Sequence, residues 1–226
     1  MIRVLLCCEG NLDKGKTRYI GNDYIDADGV MQVLIKKTSC ISRIDFVTKN
    51  RKDIQNVSTL QPKYGKHSTV SRKLAQLAKN ENCNHIAFHQ DEDNKGLETI
   101  YKKVHGYFSA AKEKGLSCIA IVPQHMTESW LLSDENAFQK AFGKKPAKPA
   151  LPSKPEEIWG SKGTANHPKT IMVNVLSQFG TAISPENYLE IAKHSKIDEI
   201  QKRCPKSFDK KFCTDIQSFV TEERAP

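Results

Sequence analysis

The sequence has no apolar run that approaches the roughly 20 residues needed for a membrane-crossing helix. Its seven cysteines include no CxxC pair and show no repeated metal-ligand spacing. We therefore expect reduced thiols that are buried or incidental, and a zinc site is the less favoured alternative. No apolar signal-peptide segment with a small-residue cleavage site precedes the first strand-like run. These absences favour a cytoplasmic protein without a membrane partner.

The composition is that of an ordinary folded protein with an excess of positive charge. Charged residues make up 27% and hydrophobic residues 38% of the chain, which argues against disorder. Thirty-five Lys and Arg residues outnumber 26 Asp and Glu residues, and the formal net charge is +9. This excess favours a phosphate-rich partner such as nucleic acid, although solvated lysines alone also produce a basic surface.

The first part of the chain, to about residue 125, alternates between short apolar runs and amphipathic segments. The predicted strands are Arg3–Cys8, Arg43–Thr48, His85–Gln90 and Ser117–Val122, and the predicted helices are Gly29–Lys37, His67–Lys79 and Leu97–Lys114. This β-α-β-α-β-α-β order predicts an α/β fold with a mostly parallel sheet and helices on both faces. The polar segment after the first strand and the stretch Lys49–Lys66 are expected to be loops.

The pattern changes after Pro123. A short helix is expected at 126–134, and prolines at 146, 149, 152 and 155 exclude a helix interior in the segment that follows. Four further helices are predicted at Lys169–Phe179, Pro185–Lys193, Ile197–Lys202 and Ser207–Val220. The predicted organisation is a catalytic domain over 1–143, a Pro- and Lys-rich connector over 144–168 and a helical C-terminal extension over 169–226.

Acidic side chains follow two of the predicted strands. Glu9-Gly10 follows the first strand, and Asp91-Glu92-Asp93 follows the third. The carboxyl ends of strands form the binding crevice of an open α/β sheet. Carboxylates gathered there repel one another unless a cation lies between them, and residues two apart in an extended segment point the same way. The sequence therefore predicts a Mg²⁺ or Mn²⁺ site at Glu9, Asp91 and Asp93.

A strand followed by Glu-Gly and a later strand followed by Asp-x-Asp resemble the Toprim domain. The resemblance covers about residues 1–134. The Glu-x-Trp-Leu-x-x-Asp element from Glu128 to Asp134 is similar to one found in the small stand-alone and OLD-like Toprim nucleases of prokaryotic defence systems. The resemblance implies that Glu9 is a metal ligand or a general acid or base, and that Glu128 and Asp134 are further metal-binding acids.

One segment departs from the family pattern. Many Toprim members have a second acid shortly after Glu-Gly, whereas this chain continues as Asn11-Leu12-Asp13-Lys14-Gly15-Lys16, which has the character of a longer basic insertion. The position of a second acid near Glu9 is therefore open, and Asp13 is one candidate.

The resemblance implies a metal-dependent nuclease that serves as the effector of an anti-phage defence module, next to an ATPase partner. It also implies a lysine of the C-terminal part, Lys169 or Lys162, that stabilises charge on the phosphate. Candidate contacts with nucleic acid are the lysines at Lys14, Lys16, Lys95, Lys144 and Lys145.

Several alternatives stay open. The domain could be a non-catalytic module that binds nucleic acid or regulates a partner, or a phosphotransfer domain with Asp91 as nucleophile. His85 and His89 lie four apart in a predicted strand, so they share a face and could join a metal site, although ordinary strand residues are the plainer interpretation. Trp130 and Trp159 are more often packing residues than platforms on which bases stack.

Overall fold

Four parallel strands form the centre of the protein. We describe a computed structural model that covers residues 1–10, 13, 15–20, 23–58, 67–147, 151–161 and 163–224. The central strands are β1 (Ile2–Cys8), β4 (Ile44–Asn50), β5 (His85–His89) and β6 (Ser117–Ile121), in the order β4-β1-β5-β6. All three pairings are parallel, which confirms the predicted α/β fold.

The helices follow the strands and continue to the end of the described chain. They are α1 (Val30–Ser39), α2 (Arg51–Gln55), α3 (Thr69–Asn80), α4 (Leu97–Tyr107), α5 (Ser109–Lys112), α6 (Thr127–Leu131), α7 (Glu135–Phe142), α8 (Pro168–Ser177), α9 (Pro185–His194), α10 (Ile197–Arg203) and α11 (Thr214–Arg224). A 3₁₀ turn occupies Pro155–Glu157 and a π-helix occupies Pro205–Cys213. Within the described ranges, no helix has both the length and the apolar character that crossing a membrane would require.

Both faces of the sheet are covered. Val4, Leu6 and Cys8 of β1 belong to one buried cluster, which also contains apolar side chains of α1 and of the C-terminal helices. Leu5 and Cys7 belong to the other cluster, with side chains of α3, α4 and α5. Because successive strand residues face opposite sides, a strand covered on both sides must be apolar throughout, and this explains the continuous run in β1.

Two segments expected to be loops contain regular structure. The first holds β2 (Lys16–Ile20) and β3 (Asp23–Ala27), an antiparallel pair that forms a separate two-stranded sheet. The second holds α2, whose start is fixed by Asn50: its Oδ1 accepts hydrogen bonds from the backbone N–H groups of Lys52 and Asp53, at 2.9 and 3.1 Å. The Asp53 carboxylate accepts the Asn50 N–H in return, so a capping box begins a helix too short for periodicity to reveal.

The long predicted helices are interrupted. The helix expected at Leu97–Lys114 divides at Phe108 into α4 and α5. The helix expected at Ser207–Val220 consists of the π-helix followed by α11. Both changes leave the apolar spacing almost intact, and hydropathy therefore could not show them.

A buried glutamate connects the segment before α8 to the C-terminal extension. Glu156 is 1% exposed and accepts hydrogen bonds from the backbone N–H groups of Lys206 and Ser207, at 2.7 and 3.0 Å, and from the Ser207 hydroxyl at 2.9 Å. Ser207 Oγ in turn accepts the indole N–H of Trp130 at 2.8 Å. Trp130 is fully buried, so it is a packing residue.

We expect Glu156→Ala to lower the free energy of unfolding by about 2–4 kcal/mol, because two backbone N–H groups and a hydroxyl lose their acceptor inside the protein. Urea denaturation followed by circular dichroism measures the change. Glu157→Ala is the matched control, since the adjacent side chain is exposed and forms surface ion pairs with Lys154 and Lys206. Equal stability losses in the two variants would contradict the assignment.

Candidate functional site

The topology predicts a ligand-binding crevice between the ends of β1 and β5. From β1 the chain moves to β4 on one side, and it later returns to form β5 and β6 on the other side. The order of strands therefore reverses between β1 and β5, where ligands bind in open α/β sheets. Glu9 follows β1 and Asp91 follows β5, and Glu9 Oε2 accepts the backbone N–H of Asp91 at 3.3 Å. The structure thus brings these two predicted site residues together.

A group of titratable side chains lies at this edge, and we refer to Asp13, His89, Asp91 and Glu128 as the acid–histidine cluster. Asp91 is half-buried, and the other three are buried. His89 Nε2 lies 3.2 Å from Asp91 Oδ1, and His89 Nδ1 lies 3.8 Å from Asp13 Oδ2. His89 is therefore placed between two carboxyl groups, and its own side chain is shielded from solvent.

Hydrogen bonds from α6 and α9 hold the carboxyl groups of the cluster. The backbone N–H of Thr127, the first residue of α6, donates to Asp91 Oδ1 at 3.1 Å. The next residue, Glu128, is 5% exposed, and its Oε1 accepts the Tyr188 hydroxyl of α9 at 2.7 Å. The C-terminal extension therefore supplies part of the support for the site.

Burial dominates the electrostatics of the acids. It raises the pKa of Asp13, Asp91 and Glu128 above the usual carboxyl values, because each ionised form loses its hydration. The carboxyl groups also raise one another's pKa: Asp91 acts on Asp13, Glu128 acts on Asp91, and Asp13 acts on Glu128. Positive charge on His89 or Lys169 opposes these effects.

The pKa of His89 shifts in the direction opposite to the one that burial alone would cause. Burial alone would lower the pKa of His89, but the charge of Asp13 and the hydrogen bond with Asp91 outweigh burial. The pKa of His89 is therefore raised well above its usual value, which favours the positively charged form of the ring. His85, at the other end of β5, lies 2.8 Å from Glu223 Oε1 of α11 and does not join the cluster.

Asp13 is the functional candidate that the sequence alone left open. It is 6% exposed, and its Oδ1 has no hydrogen-bond partner among the described residues. Its main-chain oxygen accepts the N–H of Met31 in the first turn of α1, at 3.3 Å, which fixes Asp13 against the start of that helix. The short distance along the chain from Glu9 was the available signal, but the surrounding basic residues made the segment resemble a solvated loop.

Asp93 is not part of the acid–histidine cluster. It has a φ of +50°, which ends the extended geometry after β5, and its Oδ2 lies 3.7 Å from Lys95 Nζ. It is near enough to Asp91 to raise the pKa of that residue, yet it lines a separate cavity. Between them, Glu92 is buried and accepts hydrogen bonds from the backbone N–H groups of Gly96 and His125, so it holds the loop.

Asp134 has a structural role. One carboxyl oxygen accepts the Asn136 N–H at 2.9 Å and caps α7, and the other accepts the Lys196 N–H at 2.9 Å. Both oxygens of this predicted metal ligand are thus committed to backbone donors that join α7 to the start of α10.

The predicted lysines differ in their surroundings. Lys95 faces Asp93, Lys145 Nζ lies 3.8 Å from Glu135, and Lys144 Nζ lies 5.9 Å from the centre of the Phe179 ring. Lys169 lies in the first turn of α8 and close enough to Asp13 and Glu128 to lower the pKa of each carboxyl group. Lys14 and Lys162 lie outside the described residues, as does the side chain of Lys16, whose backbone begins β2.

The carboxylate oxygens of the cluster are the type of ligand that a hard divalent cation such as Mg²⁺ prefers. Asp13 and Asp91 supply carboxylate oxygens, and the Asp13 Oδ1 without a partner is the type of buried atom that a cation satisfies. In the part of the chain that the structure describes, no three His, Cys, Asp or Glu side chains are grouped so that they could hold a metal ion. Mg²⁺ needs only one or two protein carboxylates, because water and substrate phosphate provide its other ligands.

No model of a protein family matches this chain, and searches of curated proteins and of solved structures found no match either. The Toprim resemblance therefore stays a prediction that depends on the motif residues, and the function has to be argued from the site.

The raised pKa of Glu128 predicts a pH-dependent stability difference. Because its folded pKa lies above the unfolded value, its contribution to stability is present below about pH 4 and is lost as pH rises through the folded pKa. Glu128→Gln keeps an acceptor for Tyr188 and removes the titration. Metal-free Glu128→Gln should therefore gain stability relative to wild type between pH 4 and pH 8.

Urea unfolding at several pH values in EDTA measures this difference. Glu190→Gln is the control, because the Glu190 side chain is 44% exposed and forms surface pairs with Lys193 and His194. A difference between Glu128→Gln and wild type that stays constant across the pH range would show that the Glu128 pKa is not raised.

Proposed function

We propose that the protein is a metal-dependent nuclease that hydrolyses phosphodiester bonds at the crevice between β1 and β5. The observation that supports this most is the acid–histidine cluster, in which His89 lies between the carboxyl groups of Asp13 and Asp91. All three carboxyl groups of the cluster have raised pKa values. Such a concentration of buried acids lowers stability, and perturbed groups of this kind gather at functional sites. The net charge of +9 supports an anionic substrate.

Asp91 and Asp13 would hold the ion, with Glu9 at the exposed side of the crevice. A bound Mg²⁺ or Mn²⁺ supplies positive charge that offsets the negative charge developing on the phosphate. The Thr127 N–H orients Asp91, and the Tyr188 hydroxyl fixes Glu128. Lys169 places a second positive charge near the same acids, where it favours an anionic substrate.

The family resemblance supports the biological setting of this proposal. It favours an effector of prokaryotic anti-phage defence that acts in the cytoplasm, next to an ATPase partner. Control by a partner would keep a destructive activity silent until it is needed.

One observation favours the alternative of a non-catalytic nucleic-acid-binding or regulatory subunit. Glu9 Oε1 is paired with Arg51 Nη1 at 3.1 Å, and together with the absence of a three-ligand group in the described ranges this arrangement resembles a site that is complete without metal. Such a protein would bind nucleic acid in a salt-dependent way, with or without metal, and would never cleave it.

The deciding experiment incubates the purified protein with labelled single-stranded DNA, duplex DNA and RNA, in Mg²⁺, in Mn²⁺ and in EDTA. We expect cleavage only with metal. Asp91→Asn and Asp13→Asn should each reduce the rate on the order of 100-fold or more, because the carboxylate charge is lost while the size of the side chain is kept.

Asp45→Asn is the matched control for these variants. Asp45 is also an aspartate of the sheet, but it lies near the start of β4, at the opposite edge, and forms an exposed pair with Arg3. It should cleave like wild type. Metal-dependent cleavage that survives in both Asp13→Asn and Asp91→Asn would remove the assignment, and binding without any cleavage would favour the non-catalytic alternative.

Metal binding can be measured separately from cleavage. We expect Mn²⁺ to raise the melting temperature of the wild-type protein, since an ion that binds only the folded state stabilises it. The rise should disappear in Asp91→Asn and persist in Asp45→Asn. Calorimetric titration of Mn²⁺ into the three proteins checks the same expectation, and equal affinities would contradict a site at Asp91.

A further inference from the structure

A second concave feature lies beside the acid–histidine cluster. It is a cavity of about 310 Å³, and we call it the α8 cavity. Its lining residues include Asp93, Asn94, His125, Met126, Ile158 and Lys169. Lys169 connects it to the metal-binding proposal, since this lysine also acts on the pKa of Asp13 and Glu128. The volume is at the lower limit of small-molecule sites and suits a single nucleotide, whereas a duplex cannot enter it.

One end of the α8 cavity suits a phosphate group. Lys169 is exposed and forms no ion pair with the described residues. It lies in the first turn of α8, where no side chain caps the helix and no acidic residue is present. His167 and Pro168, which begin this helix, line the same cavity. A lysine at an uncapped helix start provides both a charge and backbone donors for an anion.

The lining of the cavity also includes a buried histidine whose second nitrogen is free to bind a ligand. His125 is 7% exposed, and its Nδ1 lies 3.0 Å from Asn94 Oδ1 and 3.4 Å from Glu92 Oε2. Because both neighbours are acceptors, the proton lies on Nδ1, and burial keeps the ring neutral by lowering its pKa. Nε2 has no hydrogen-bond partner among the described residues and is therefore an acceptor for a hydroxyl or amino group.

Apolar side chains complete the cavity. Met126, Ile158 and Pro168 provide a surface against which a sugar or base can pack. Trp159 lies between two lining residues, Ile158 and Gly160, and is 73% exposed, in contrast to the fully buried Trp130. An exposed indole next to a cavity contributes little to folding, but it is a surface on which an unpaired base can stack.

We propose that the α8 cavity holds one nucleotide of an unpaired nucleic-acid segment, with its phosphate at Lys169, a hydroxyl or amino group at His125 and the neighbouring base on Trp159. This inference deepens the proposed function, because it makes single-stranded nucleic acid the substrate class of the same crevice. Its test uses binding without metal, so that its failure and a failure of the nuclease proposal can be told apart.

Binding is measured by fluorescence anisotropy of labelled eight-residue oligonucleotides in EDTA. We expect single-stranded DNA or RNA to bind at least tenfold more tightly than the corresponding duplex. Lys169→Ala and Trp159→Ala should each weaken binding at least fivefold. Ile158→Trp should weaken binding to a similar degree by filling the cavity, and circular dichroism checks that each variant is folded.

The matched controls are Lys196→Ala and Val173→Ala. Lys196 is an exposed lysine just before another helix of the extension, and Val173 is an exposed apolar residue of α8 itself. Both should bind like wild type. A duplex bound as tightly as the single strands, or variants of Lys169, Ile158 and Trp159 that bind like the controls, would overturn the proposal.

Competition with small probes identifies which part of the nucleotide is recognised. Adenosine monophosphate should displace the oligonucleotide more effectively than adenosine or inorganic phosphate, because it alone combines the charged and apolar parts. Inorganic phosphate that competes equally well would reduce the cavity to an anion site and overturn the nucleotide assignment. A difference between ribose and 2′-deoxyribose probes would show that a sugar hydroxyl reaches His125.

The two proposals have separable outcomes. Oligonucleotide binding that depends on Lys169 and Trp159, without cleavage in any metal, would support the cavity and reject the nuclease. Metal-dependent cleavage that is unchanged in Trp159→Ala and Ile158→Trp would support the nuclease and reject the cavity.

Discussion

Carboxyl groups held close together beside one histidine ring impose the main constraint on this protein. Asp13 and Asp91 flank His89, and the buried Glu128 is close enough to raise the pKa of Asp91. An ionised carboxylate that leaves water loses several kcal/mol of hydration unless charges and hydrogen bonds replace it. His89 offers one positive charge to Asp13 and Asp91, and Glu128 receives the Tyr188 hydroxyl. The raised pKa values of the three acids mean that protons are held more tightly on these carboxyl groups than they would be in water. A divalent cation would replace those protons, which connects metal binding to the protonation of the site.

This constraint explains why the C-terminal extension packs against the sheet. The cluster draws on the ends of β1 and β5, on α6 and on α9, which are distant in sequence. Tyr188 reaches Glu128 only because α9 is fixed in place. Lys37 of α1 donates to the main-chain oxygens of Ser195 and of Lys193, the latter at 2.8 Å. Apolar side chains of α1 and α9 share one buried cluster, so the extension supports the site as well as the fold.

The sequence was most informative where local pattern and tertiary environment agree. Short runs rich in apolar residues predicted all four parallel strands. The pattern was clearest in β1, because a strand covered on both faces must be apolar throughout. Glu9 and Asp91 could be placed at one edge because parallel strands align their carboxyl ends. The hairpin β2–β3 and the helix α2 were missed, since both are short and polar and carry little hydrophobic periodicity.

The composition of the site was harder to predict, because it depends on side-chain direction. Asp93 was expected beside Asp91 on the assumption of an extended chain, and its positive φ removes that assumption. Asp134 is chemically equivalent to a metal ligand, yet its oxygens are occupied by the N–H groups of Asn136 and Lys196. Asp13 was left open by the sequence but belongs to the cluster, because only the fold shows that this residue of a polar segment is buried against β5.

The surroundings of each lysine also decide which positive charges are available to a ligand. A net charge of +9 describes the whole molecule, but a lysine paired with an acid presents little field to a ligand. Lys95 and Lys145 are paired in this way, and Lys144 lies over an aromatic ring. Lys169, which has no such partner in the described chain, acts on Asp13 and Glu128 and also lines the α8 cavity. The lysine available to a phosphate is therefore close to the carboxyl groups that would hold a cation, which is the arrangement that the proposed hydrolysis of a phosphodiester needs.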